Sequence, residues 1–122
     1  MTLSYLDFDY SEDAEGIGTL EAVASTWPEQ VPAVQAEMAQ VLDWACRAFA
    51  GRRAPVDEGG DWDYDLHGMQ EFTAPEAINY DEATRWFAVR LGPAGKPRHT
   101  VTLAISGTAE FCEAFRQHFG LG

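Results

Sequence analysis

Three carboxylates stand at alternate positions in the stretch GGDWDYDLHG: Asp61, Asp63 and Asp65, separated by Trp62 and Tyr64 and followed by Leu66. Oxygen ligands at this spacing invite a hard cation, calcium above all. A hand-type calcium loop needs oxygens at its first, third and fifth positions, glycine at the sixth and a bidentate Glu at the twelfth. Counted from Asp61, the sixth residue is Leu66 and the twelfth is Phe72, with Gly68 and Glu71 out of register. The alternation with aromatic and aliphatic residues is that of a strand, which sets its acids in a row and does not wrap them round an ion. The hand loop fails. Asp7 and Asp9 repeat the pattern beside Phe8 and Tyr10. A looser cation cage, with Asp61 or Asp63 joined by Asp7 or Asp9 from a neighbouring strand, stays open.

The other chemistry-bearing residues are scattered. His67, His99 and His118 lack the helical or Cys-His spacing of a zinc site. His118 suits the end of the last helix, where a cation complements the dipole. His67 and Asp65 are read as facing opposite sides of their strand, and so as no dyad. Cys46 and Cys112 are far apart, without a CxxC spacing, and read as reduced, small buried hydrophobes. No phosphate-binding loop, nucleophile elbow or metalloprotease signature is present. The sequence therefore assigns no catalytic residue, no metal ligand and no cofactor.

Charge carries more information. Twenty acids against eight bases give a formal net charge of −12. Residues 1–46 hold no Lys or Arg, whereas Arg85, Arg90, Lys96 and Arg98 share a window without acid. Such a balance repels nucleic acid and anionic membrane, and it favours cations, a basic protein partner or plain solubility. Asp is a poor strand former and like charges opposed across strands destabilise, so three alternating Asp are costly for solubility alone. Edge protection against aggregation is a rival explanation. Neutralising all three as Asn is expected to leave the fold intact and to ease repulsion.

These side chains need elements to hold them. The 122 residues, 46% hydrophobic and 23% charged, suit one globular domain over 1–122. Period-two alternation marks strands over 2–10, 18–26, 61–72 and 99–106, with a hairpin of INY and RWFAVRL turning at Asp81–Thr84. Val31, Val34, Met38, Val41, Leu42, Ala45 and Phe49 form the stripe of a helix opened by Pro28 and stopped at Gly51. Thr108 caps a last helix with Phe111, Phe115 and Phe119 on one face. The order β-β-α-β-β-β-β-α, with short turns, implies an α+β two-layer sandwich. Its mainly antiparallel sheet has five to six strands, and both helices pack on one face. The acidic rows point to the other face. The four tryptophans read mostly as core.

The expectation is a non-catalytic acidic interaction protein that binds a basic protein partner, as small acidic immunity or antitoxin proteins do, an analogy of size and charge alone. Asp61, Asp63 and Asp65 form its surface, with Trp62 and Tyr64 as anchors where exposed, and Asp7 and Asp9 join if the first strand lies beside the third. The alternative is a small enzyme or cation-dependent binder using the same carboxylates. Monomer and homodimer are both open. The N-terminus shows no leader-like stretch and no apolar run spans a bilayer, so the expected compartment is the cytoplasm.

Overall fold

The computed structural model describes residues 3–121. Its order is β1 (Asp9–Glu12), β2 (Gly18–Thr26), α1 (Val31–Ala48), β3 (Trp62–Glu71), β4 (Glu76–Asp81), β5 (Trp86–Leu91), β6 (Arg98–Gly107) and α2 (Ala109–His118). The architecture is α+β, with both helices on one side of the main sheet. That sheet has four strands in the order β1-β2-β6-β3, all antiparallel, and β4 and β5 pair separately. No described helix is long and apolar enough to cross a membrane.

Alternation decides which side chains enter the core. Leu20, Ala22 and Ala24 of β2 stand opposite Ile105, Leu103 and Val101 of β6, all on the helix side. Across β6, the same rungs carry Tyr64, Leu66 and Gly68 of β3. Val34, Met38, Val41 and Ala45 of α1 and Phe111, Cys112 and Phe115 of α2 supply the facing layer. Trp62 is fully buried and stacks on Phe111, with centroids 5.5 Å apart and planes 3° from parallel. Among the described residues its indole N–H finds no partner, an omission that costs about 1–3 kcal/mol. Thr108 caps α2 by accepting from the Phe111 N–H.

Two expected elements differ. Only Asp9–Glu12 of the first segment pairs as a strand. The N–H groups of Ser4, Tyr5 and Leu6 donate to the carboxylate of Glu37 on α1 instead of to a ladder. That carboxylate fastens the segment to the helix and lets Leu6 and Phe8 enter the core. The strands also divide into four plus two. Residues 72–75 and 92–97, which contain Pro75, Pro93 and Pro97, interrupt a ribbon that β3 and β6 begin and β4 and β5 continue. Proline has no N–H to give a ladder. Among the described residues, the backbone bonds across the link are those from Gly95 N–H to Thr73 O and from Gly92 N–H to Pro75 O. Beyond it, β4–β5 projects as an arm in which every residue is exposed. Its tip turns through Arg85 in the left-handed region, φ 57°.

Candidate functional site

The face of the sheet away from the helices carries the acids. Asp63 stands opposite Ser106, which stands opposite Thr19; Asp65 stands opposite Ala104, which stands opposite Glu21. Asp9 pairs with Glu21 from the far side. The first and third strands thus share a face without being neighbours, since β2 and β6 lie between them. Three strand spacings separate Asp9 from Asp65, roughly 14 Å. The cation cage and the acid–base cleft that would have joined Asp7 or Asp9 to Asp61 or Asp63 do not assemble. Among the described residues, no three His, Cys, Asp or Glu side chains are placed to hold a metal ion.

Near the start of β3 this face becomes concave. The turn containing Glu15 and Ile17 forms one wall and the loop Pro55–Asp57 the other, over a floor of Thr19, Ala104 and Ser106, with Asp63 and Asp65 alongside. The hollow holds about 520 Å³ and is open to solvent. Local chemistry builds both walls. The Asp13 carboxylate accepts from the N–H groups of Glu15 and Ile17, shaping the turn. The other loop is tied back by the bonds from Asp61 N–H to Arg52 O and from Ala54 N–H to Trp62 O. A Cβ on Gly60 would stand 1.9 Å from the Ala54 carbonyl oxygen, so this position admits only glycine.

Asp61, just before β3, and Asp63 and Asp65 within it have different roles. Asp61, with a side chain 16% exposed, lies 2.9 Å from Arg52 Nη2. Asp63 lies 3.1 Å from Arg53 Nη1 and accepts the Tyr64 N–H. Both acids therefore clamp the loop that forms the wall. Asp65 is exposed, with Oδ2 2.9 Å from His67 Nε2. This corrects the expectation for His67: two residues apart on a strand, the pair shares a face. Trp62 lies in the core and presents nothing to a partner. Tyr64 is half-exposed, beneath the guanidinium of Arg53 at 5.6 Å. Asp7 is exposed but outside the sheet.

Glu15 and Asp57, which complete the hollow, escaped the sequence reading because neither belongs to an alternating row. Cys46 is exposed, against expectation, while Cys112 is buried and donates to the Gly107 carbonyl. Burial pushes the Cys112 thiol pKa up. His118 stacks on Trp44 at 5.2 Å. Compared with protein-family models, curated proteins and solved structures, the chain matches none.

Proposed function

We propose that this chain is a non-catalytic binding protein whose acidic sheet face receives a basic segment of a protein partner. The observation that carries this reading is the hollow edged by Glu15, Asp57, Asp63 and Asp65. Among the described residues Asp63 pairs with Arg53 and Asp65 meets His67, which leaves Glu15 and Asp57 for outside cations. Lys and Arg side chains suit such a hollow, since their stems lie along Ile17, Pro55 and Val56 while their heads meet the carboxylates. The overall charge of −12 adds long-range attraction for a basic partner, which speeds encounter and selects the partner more than it adds affinity.

The test is calorimetric titration with a short Lys/Arg-rich peptide at several salt concentrations, against a Glu/Asp-rich control of the same length. The variant Glu15→Gln/Asp57→Asn/Asp65→Asn spares both clamping acids. It should bind at least tenfold more weakly than the parent, and the parent's affinity should fall as salt rises. Equal binding by parent and variant would sink the proposal.

A further inference from the structure

The arm is amphipathic, and its apolar side has no cover. Ile78 pairs with Val89 and Tyr80 with Phe87, while Leu91 stands opposite Glu76, so one face carries five large apolar side chains. Each is 53–68% exposed. The other face holds Ala77, Asn79, Asp81, Ala88, Arg90 and Trp86. A lone two-stranded ribbon is marginal in water. With Leu66 and Phe72 at its root also exposed, the apolar surface is on the order of 800 Å². That exceeds the few hundred Å² usual on a monomer and suffices for one side of a standard interface, about 800 Å².

The body offers a complementary gap. Only Trp62 at the start of β3 is buried; from Tyr64 onward every residue of the strand is exposed, so its far half is open on the helix side. A groove of about 330 Å³ remains there, lined by Ala24, Val34, Met38, Gly68 and Val101 among others. Gly68 is the telling residue. It sits in the middle of β3, it is not among the glycines with positive φ, and an added Cβ would meet nothing within 4 Å. Neither conformation nor packing within the chain calls for glycine there. Glycine weakens a strand interior and often marks a place where another chain or a ligand comes close.

We infer that two copies exchange arms, the apolar face of each β4–β5 ribbon lying in the Gly68 groove of the other. Charge favours a second copy as the occupant. Residues 83–109, which include all of β5 and β6, contain no acid, so the acids of the arm are confined to β4 and the tip at Glu76, Asp81 and Glu82, and β5 presents its cations. Arg85 and Arg90 have no ion-pair partner among the described residues. Antiparallel placement brings Arg85, at the tip, toward the acid-rich approach to the other copy's β3. The acidic outer faces stay free in this arrangement, so it stands independently of the basic-partner reading.

The test is sedimentation equilibrium of the whole chain at moderate salt, with circular dichroism to follow folding. Parent protein is expected as a dimer. Gly68→Leu fills open space in its own fold, so it should stay folded while its dimer weakens at least a hundredfold. Ile78→Ser/Val89→Ser, which alters only exposed arm residues, should have the same effect. A monomeric parent would overturn the inference and leave the arm to a different protein. A Gly68→Leu dimer as tight as the parent's would overturn it equally.

Discussion

Asp61, Asp63 and Asp65 occupy one row, yet replacing them singly by Asn should give three separate results. Asp61 is largely sheltered and sits 2.9 Å from Arg52, so loss of its charge should cost about 1 kcal/mol, the upper end for a surface pair. Asp63, 28% exposed with Arg53 at 3.1 Å, should cost about 0.5 kcal/mol, since Asn can still accept the Tyr64 N–H. Asp65 meets only His67, itself as exposed, and stands on the rung that also carries Glu21 and Asp9. Its replacement should change stability by less than about 0.5 kcal/mol in either direction. In a domain of this size 1 kcal/mol moves the melting temperature by about 4 °C. Thermal melts at fixed ionic strength should therefore fall by about 4 °C, about 2 °C and about nothing. A double-mutant cycle with Arg52→Met should return a coupling of about 1 kcal/mol for Asp61 and close to zero for Asp65. The triple Asn variant should melt below the parent, the reverse of what repulsion within a plain acidic row would give. A triple variant melting at or above the parent would show that the two arginines do not hold the loop, and the clamp would have to be abandoned.

Two titratable groups give further checks. Cys112 is buried and its thiol pKa is raised above the ordinary 9.0, chiefly by desolvation. Folding thus disfavours the thiolate, and stability should decline as pH climbs past about 9, where the unfolded chain releases the proton more readily. At mildly alkaline pH, iodoacetamide should label exposed Cys46 and leave Cys112 untouched until urea is added. Equal labelling of both in native protein would contradict the packing. Glu29 is held below its usual 4.5, first by the hydrogen bond from Lys96 at the root of the arm. Its contribution is present above 4.5 and is lost as pH falls through the depressed value. In an NMR titration, Lys96→Met should return Glu29 toward 4.5, and an unchanged titration would mean that the root of the arm is not fastened to the start of α1.

Seven of the eight elements were legible because each carries a period: two in GTLEAVAST and HTVTLAIS, and a helical stripe from Val31 to Phe49; β1, expected over 2–10, pairs only at Asp9–Glu12. Their pairing was not. Alternation says which side of a strand faces in, but not which strand lies beside it, so the distance between the Asp7–Asp9 and Asp61–Asp65 rows needed the order β1-β2-β6-β3. The clamps were hidden for a similar reason. Arg52 and Arg53 lie in a breaker-rich loop, and only its doubling back beside Trp62 brings them to Asp61 and Asp63. Glu37 lies off the apolar stripe of α1, where nothing local signals that three backbone N–H groups from residues 4–6 converge on it. The arm misleads in the other direction. AINYDEATRWFAVRL reads as any half-buried hairpin would, because local sequence encodes that a face wants cover and not where the cover comes from.

One physical rule generates both surfaces, and it also keeps them apart. A strand sends successive side chains to opposite faces, so β3 supplies Asp63 and Asp65 to the outer side while Leu66 and Gly68 face the helices. On the arm, alternation gathers Ile78, Tyr80, Phe87, Val89 and Leu91 on one side. A contact made through that side is chiefly buried apolar area, with Arg85 at its margin, so screening by salt should change it little. A contact made through Glu15, Asp57 and Asp65 is an attraction between opposite charges, and the same salt should weaken it steeply. Unequal salt responses, measured on one preparation, separate the two surfaces without any mutation. If self-association weakened with salt as steeply as peptide binding, ion pairs and not apolar area would carry it, and the apolar face of the arm would have no part in it.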